Sequence, residues 1–161
     1  MNTLLKSLTR SLTERGWKVK MQENNQIPAE IVQRYDSLPT DYIYFLRHMK
    51  TCVNNAETVW ILCTDDFAPQ EENGFAWNEF EKMSLEAAEG DNSWTAEIKS
   101  FWNKHLPICL SLKNGYAYYA LCLKDGTIVT GEEPEFEETT EVAPSFRDFL
   151  HMLFNGELDL E

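Results

Sequence analysis

Three consecutive segments decide the fold: Pro107-Ile-Cys-Leu-Ser-Leu112, Tyr116-Ala-Tyr-Tyr-Ala-Leu-Cys-Leu123 and Thr127-Ile-Val-Thr130. The first segment alternates, with Ile108, Leu110 and Leu112 on one side, which predicts a strand with one face in the core. The second segment is apolar or aromatic on both faces. Turn sequences, Asn114-Gly115 and Lys124-Asp125-Gly126, separate the three segments, so this stretch predicts neighbouring antiparallel strands.

A glutamate-rich segment follows these strands. Residues 131–141, called the glutamate segment below, contain six glutamates and no basic residue. Pro134 cannot donate a ladder hydrogen bond, so the segment is predicted to be a sheet edge or a loop. Beyond it, Pro144 and Ser145 start a predicted helix and Gly156 ends it. The apolar residues of this helix recur at helical spacing: Phe146, Phe149, Leu150, Leu153 and Phe154.

Further helices are predicted on the N-terminal side of these strands. Apolar residues at helical spacing, with start and stop signals, predict helices over residues 3–15, 28–35, 38–49 and 94–106. The first strand is predicted at Thr58–Cys63. Residues 64–75 are predicted to form an acidic loop. The apolar residues within 75–89 do not distinguish helical from strand spacing, so this stretch is assigned to neither. The order predicts an α+β fold whose mostly antiparallel sheet of about four to six strands is flanked by N-terminal, middle and C-terminal helices.

Composition predicts one folded domain. The chain has 161 residues, of which 43% are hydrophobic and 12% aromatic, values that exclude disorder. We expect a single domain over residues 1–161, with residues 1–27 as an N-terminal helical extension. No apolar run approaches the roughly 20 residues of a membrane helix, and no secretion signal is present, which predicts a cytoplasmic protein without membrane contact.

The cysteines are predicted to be buried free thiols, because they lack CxxC spacing and the density of a disulfide scaffold. They are Cys52, Cys63, Cys109 and Cys122.

Charge is unevenly distributed along the chain. Residues 1–50 hold eight Lys or Arg against five Asp or Glu, whereas residues 51–161 hold six against twenty-two. The net charge is −13. A field of this sign repels nucleic acid and anionic membranes and accelerates encounter with cationic partners. We therefore expect a basic protein partner and no nucleic acid.

Catalytic motifs are absent from the sequence. No phosphate-binding glycine loop and no G-x-S-x-G elbow occurs. His48, His105 and His151 each have apolar neighbours, which favours packing or capping over catalysis. His48 and Cys52 are spaced for a shared metal, but no second pair completes four ligands. We expect no enzyme activity, no cofactor and no metal.

The predicted loop over residues 64–75 contains a second acidic patch, which is a weaker candidate for partner binding. The patch consists of Asp65, Asp66, Glu71 and Glu72. These carboxylates could hold a hard cation, but the spacing of a calcium loop is missing, so solvated carboxylates are favoured.

The glutamate segment has two interpretations. Charges on a sheet edge discourage edge-to-edge association, and a charge run is usually no more than that. Alternatively, the segment is a recognition surface for a basic protein, with Phe136 as an apolar anchor. The candidate carboxylates are Glu132, Glu133, Glu135, Glu137, Glu138 and Glu141.

Short motifs in a fixed order resemble the SUKH superfamily, whose name joins Syd, a herpesvirus group and the yeast cell-wall or glucan-synthesis regulators. The resemblance covers residues 28–153, and residues 1–27 lie outside it. The motifs are Ile31-Val-Gln-Arg-Tyr35, Leu38-Pro39 with Asp41-Tyr42 and Phe45-Leu46, the Trp60 strand, Gly115-Tyr116-Ala117, Gly131-Glu132 with Pro134, and Ser145-Phe146 with Asp148-Phe149-Leu150.

The resemblance implies an α+β domain without an established enzymatic site. Many bacterial members are immunity proteins that bind and block a cognate toxin domain, often a nuclease. We therefore expect a non-catalytic immunity protein that binds a basic toxin domain through the candidate glutamates and, more weakly, through the second acidic patch. The alternative is an intracellular regulatory or scaffolding module related to the cell-wall or glucan-synthesis regulators.

Overall fold

One antiparallel sheet organises the molecule. Within residues 1–68, 75–158 and 160, which the computed structural model describes, seven strands form this sheet, and their order across it is their order along the chain. The strands are β1 (Lys18–Met21), β2 (Met49–Val53), β3 (Val59–Ile61), β4 (His105–Ser111), β5 (Ala117–Cys122), β6 (Ile128–Glu132) and β7 (Thr140–Ala143). β1 and β7 are therefore the two edges. The predicted α+β class and the antiparallel sheet are confirmed, and the strand count is slightly higher than predicted.

Helices form two groups around the sheet. In the described part of the chain they are α1 (Asn2–Glu14), α2 (Ala29–Arg34), α3 (Thr40–His48), α4 (Glu79–Ala87), α5 (Asn92–Trp102) and α6 (Phe146–Asn155). α1 and α3 pack against α6, whereas α4 packs against α5. A short 3-10 helix, Thr64–Phe67, follows β3. None of the helices in this part of the chain has the length and apolar character that crossing a membrane requires.

The two helix groups cover opposite faces of the sheet. Tyr118 and Tyr119 are neighbours on β5 and point to opposite faces. The ring centroid of Tyr118 lies 4.9 Å from that of Trp102 in α5, and the centroid of Tyr119 lies 5.3 Å from that of Phe149 in α6. Because both faces are covered, every residue of β4 except His105 is buried. The prediction that this strand has only one face in the core is wrong for that reason.

The ends of the later helices follow local sequence signals. The side chain of Ser145 accepts a hydrogen bond from the backbone N–H of Asp148, and Gly156 ends α6 in the left-handed conformation at φ 72°. These caps confirm the predicted start and stop. Phe154 is 39% exposed, so it does not share the buried face of the other apolar residues of α6.

The strand predicted at Thr58–Cys63 is present as β3, but two strands precede it, so the prediction that it is the first strand is wrong. β1 is a short, mostly exposed edge strand with two lysines. β2 begins at Met49, the C-cap residue that directly follows α3, and the backbone there is already extended at φ −108° and ψ 128°. A strand that follows a helix without an intervening turn gives no boundary signal in the sequence.

The cysteines are free, as predicted. Cys52, Cys63 and Cys109 are buried and Cys122 is half-buried. Burial raises the pKa of the first three thiols well above the ordinary cysteine value. They are therefore protonated core residues at neutral pH.

Candidate functional site

The glutamate segment lies at one end of the sheet. Glu132 ends β6, Glu141 belongs to the edge strand β7, and the residues between them connect these two strands. The prediction of an edge or loop is confirmed. Some side chains of the segment are held by the fold and others are free.

The inner side of the segment packs into an aromatic cluster. Phe136 is 4% exposed, and its ring stacks on Phe80 of α4 with a centroid distance of 4.7 Å. The hydroxyl of Tyr118 donates a hydrogen bond to the carbonyl oxygen of Phe136, and burial raises the pKa of that hydroxyl, so it remains a donor. The expectation that Phe136 is a surface anchor is therefore wrong, because its ring belongs to the core.

Gly131 permits this close approach. A Cβ atom at this position would lie 2.6 Å from the carbonyl oxygen of Phe136 and 2.7 Å from the hydroxyl oxygen of Tyr118. Real Cβ atoms do not occur at such distances from backbone atoms, so only glycine fits here. The glutamate segment therefore packs closely against the sheet at both Gly131 and Phe136.

Two of the glutamates are also held by hydrogen bonds. The Oε1 atom of Glu137 accepts a bond of 2.7 Å from the indole Nε1 of Trp102, whose side chain is 1% exposed. The Oε1 atom of Glu133 accepts a bond of 3.2 Å from the backbone N–H of Tyr116. We call Glu133 and Glu137 the anchored glutamates, because they satisfy donors of neighbouring elements.

The other four glutamates of the segment are exposed and unpaired. Among the residues that the structure describes, none forms a side-chain hydrogen bond or an ion pair with them. They are Glu132, Glu135, Glu138 and Glu141, called the free glutamates below. Ion pairs between described residues occur elsewhere, for example between Arg34 and Glu81 and between Arg147 and Asp41. The negative charge of the free glutamates is therefore not neutralised by the described basic residues of the same chain.

A groove separates the glutamate segment from α4 and α5. Its volume is about 480 Å³. One wall consists of Met83, Ser84, Ala87 and Trp94, and the opposite wall consists of Pro134, Phe136 and four glutamates, Glu133, Glu135, Glu137 and Glu138. Trp94 is 43% exposed. The site thus combines an apolar interior with an acidic rim.

Trp94 was not predicted as a site residue. Its helical spacing with Ile98, Phe101 and Trp102 indicates one buried stripe. In the structure Trp94 stands in the first turn of α5, next to the N-cap residue Asp91, whose carboxylate accepts bonds of 3.0 Å from the backbone N–H groups of Ser93 and Trp94. The sequence signal that could have found it is the N-cap residue Asp91, which places Trp94 in the first turn of the helix.

The second acidic patch is only partly within the described residues. Asp65 is exposed, whereas the Oδ2 atom of Asp66 accepts a bond of 2.7 Å from the backbone N–H of Cys63. Burial raises the pKa of the Asp66 carboxyl. Glu71 and Glu72 lie outside the described residues. Asp66 therefore caps the 3-10 helix Thr64–Phe67, and partner binding by this patch stays a prediction.

Two of the histidines pack against aromatic neighbours. The rings of His48 and His105 stack on Tyr44 and Phe101, each with a centroid distance of 4.0 Å. The Nδ1 atoms of both histidines lie within 2.9 Å of the carbonyl oxygens of those same neighbours. Over residues 1–68, 75–158 and 160, no three His, Cys, Asp or Glu side chains are grouped so as to hold a metal ion.

The fold and the groove define an α+β protein whose sheet carries helices on both faces and an acidic, apolar-lined groove at one end. The chain belongs to the SMI1 / KNR4 family (SUKH-1), whose model matches residues 29–152. The predicted SUKH resemblance is confirmed. No curated protein and no solved structure matches the chain. The matched range contains the whole groove and begins after β1, so α1 and β1 lie outside it.

Proposed function

We propose that this chain is a non-catalytic bacterial immunity protein that binds and neutralises a cognate toxin domain with a basic surface, such as a nuclease. The observation that carries the proposal is the set of free glutamates beside the groove, at the exposed end of the sheet. Membership of the SMI1 / KNR4 family (SUKH-1) supports it.

Electrostatics favours a cationic polypeptide as the partner. The chain has a net charge of −13, and six of its carboxylates are concentrated in residues 131–141. Opposite fields raise association rates, while phosphate-rich partners are repelled. Close buried charge pairs couple by about 1.5–7 kcal/mol, whereas exposed rim pairs contribute little, so one or two free glutamates should dominate the affinity.

The anchored residues support a binding role for the glutamate segment. Glu133 and Glu137 accept hydrogen bonds from Tyr116 and Trp102, and Phe136 is packed on Phe80. These contacts hold the segment in one conformation, so the free glutamates are presented on a fixed frame. Preorganisation of this kind lowers the cost of ordering a binding surface.

Charge reversal tests the proposal. The toxin domain encoded directly upstream would be co-expressed with the chain, and complex formation and cell survival would be measured. Replacement of Glu132, Glu135 and Glu138 by lysine should weaken binding at least about tenfold, which is ~1.4 kcal/mol, and should abolish protection.

A matched control changes the net charge equally at a different place. Glu23, Glu30 and Asp36 are exposed and do not line the groove. Their replacement by lysine should leave protection intact. Equal binding by both triple variants, with both folded, would remove the glutamate segment as the binding surface.

The second candidate is an intracellular regulatory or scaffolding module related to cell-wall or glucan-synthesis regulators. The SMI1 / KNR4 family match supports this function as well. Gene context distinguishes the two candidates, because an immunity gene lies directly downstream of a large secreted protein with a variable C-terminal domain. A chain encoded elsewhere, whose deletion alters the cell wall and does not sensitise the cell to a toxin, would favour the regulator.

A further inference from the structure

We propose that the groove between α4, α5 and the glutamate segment binds a partner segment in which one large apolar side chain is flanked by Lys or Arg. This inference rests on the proposed function, because it assumes that the partner is a basic protein. It adds the kind of contact by which that partner is recognised.

The apolar part of the groove is large enough for an inserted side chain. Its volume of about 480 Å³ is within the range of known ligand clefts. Met83, Ala87, Trp94 and Pro134 contribute apolar surface. Trp94 retains 43% exposure, the largest among the tryptophans of the described chain. Exposed tryptophans beside a concave surface are favoured anchor points of protein interfaces, because burying the rest of the indole removes a large apolar area from water.

Both walls of the groove are fixed before a partner binds. The segment wall is held by the stack of Phe136 on Phe80 and by the bond from Trp102 to Glu137. The opposite wall is held by the ion pair between Arg34 of α2 and Glu81 of α4, in which two N–O distances are 2.7 Å. A preformed groove does not have to order its own chain on binding.

The charge of the rim specifies the occupant. Among the described residues, four glutamates and no basic residue line the groove. An apolar segment with acidic flanks would be repelled, and a second copy of this chain carries the same net charge of −13. A side chain of the leucine or phenylalanine type between basic residues satisfies both the apolar interior and the acidic rim.

The test uses synthetic peptides and the full chain. The probe is a blocked peptide, Gly-Lys-Arg-Leu-Arg-Lys-Gly, compared with the same peptide carrying Ser in place of Leu and with a third in which Glu replaces every Lys and Arg. Binding would be followed by tryptophan fluorescence and by chemical shifts of the Trp94 indole N–H. The Leu peptide should bind at least about tenfold more tightly than each of the other two.

Two variants locate the contact. Trp94→Ala should weaken binding of the Leu peptide about tenfold, and Ala87→Lys should weaken it similarly by placing a cation in the groove. The matched control is Val32→Ala, which removes an exposed apolar side chain of α2 that is not part of the groove. Urea unfolding of each variant would verify that the fold is retained.

The failure of this inference is distinguishable from that of the proposed function. Equal binding of the Leu and Ser peptides, unaffected by Trp94→Ala, would overturn the groove contact but leave charge recognition of a basic toxin intact. Absence of binding by all three peptides would also overturn it. Concentration-dependent dimerisation that Trp94→Ala abolishes would show that a second copy occupies the groove and would overturn it as well.

Discussion

The two acidic regions of the chain differ in what their carboxylates contact. In the glutamate segment, two of the six glutamates are anchored and four are free. In the 3-10 helix Thr64–Phe67, Asp66 is bound to the backbone N–H of Cys63 and only Asp65 is exposed. Both regions are acidic in sequence, yet within the part of the chain that the structure describes only the first presents several unpaired charges beside a groove.

This difference in contacts shows which acidic residues are available for binding a partner. Asp66 stands three residues after Cys63, the spacing at which a carboxylate reaches back to the start of a helix. The free glutamates lie in β6, in β7 and in the connection between them, and none of their carboxylates accepts a hydrogen bond from a backbone N–H group of the described residues. Position relative to unpaired backbone N–H groups, rather than acidity, separates a cap from a binding surface.

The largest expected loss of stability follows from a substitution on the inner side of the glutamate segment. Phe136→Ala removes a core ring stacked on Phe80, and we expect it to lower the free energy of unfolding by about 3–5 kcal/mol. Urea denaturation measures this. Glu135→Ala, on the exposed side of the same segment, is the control and should change it by less than about 0.5 kcal/mol. Similar free energies of unfolding for the two variants would contradict the distinction between a packed inner side and an exposed outer side of the segment.

Substitution of Glu137, one of the two anchored glutamates, should have an intermediate effect on the free energy of unfolding. Glu137→Ala leaves the buried indole N–H of Trp102 without its acceptor, which should cost about 1–3 kcal/mol of unfolding free energy. Glu137→Gln keeps an acceptor oxygen and should cost less. The two variants would be compared by thermal and urea unfolding, and an equal loss for both would mean that charge, rather than the hydrogen bond, is what Glu137 supplies.

A smaller, pH-dependent effect is expected in the second acidic region. Burial raises the pKa of the Asp66 carboxyl, so the folded state binds this proton more tightly than the unfolded state. The contribution of Asp66 to stability is then complete below the unfolded pKa and is lost as pH rises through the folded pKa. Asp66→Asn removes this titration and retains an oxygen for the Cys63 N–H.

The free energy of unfolding of Asp66→Asn, minus that of the unaltered protein, should therefore rise as the pH is raised above the ordinary carboxyl pKa of about 4. Asp65→Asn is the control, because Asp65 is exposed, and its difference should stay flat over the same range. A constant difference for Asp66→Asn would contradict the burial of this carboxyl as the cause of its raised pKa.

The smallest effect on stability is expected at the free glutamates. Glu135→Lys combined with Glu138→Lys should change the free energy of unfolding by less than about 0.5 kcal/mol, since neither side chain has a partner in the described chain. Differential scanning calorimetry checks this. A loss above about 1 kcal/mol would indicate that these carboxylates stabilise the fold, and the comparison between free and anchored glutamates would fail.

Local signals made much of the fold predictable. The turns that flank β5 and the caps of α6 depend on neighbouring residues, and they were predicted at the right places. The missed strand β2 follows α3 without a turn, and the second covered face of β4 depends on helices distant in sequence. Features that depend on contacts with distant parts of the chain could not be predicted from the sequence.

In the candidate site, too, some features follow from the local sequence and others depend on residues distant in the chain. The acidic composition of residues 131–141 predicts a charged edge or loop without knowledge of the fold. Anchoring of Glu137 requires Trp102, and burial of Phe136 requires Phe80 and Tyr118, which come from three other elements. An aromatic residue within an acidic run therefore resembled a surface anchor, although it is a core residue.

The sequential order of the strands has a consequence for the course of folding. β4, β5, β6 and β7 are joined by short connections, so each of their pairings closes a small loop and loses little chain entropy. The pairing of β3 with β4 must instead enclose α4 and α5. Since contacts of low sequence separation form fastest, the four C-terminal strands are expected to assemble first and to serve as the template on which β3 docks.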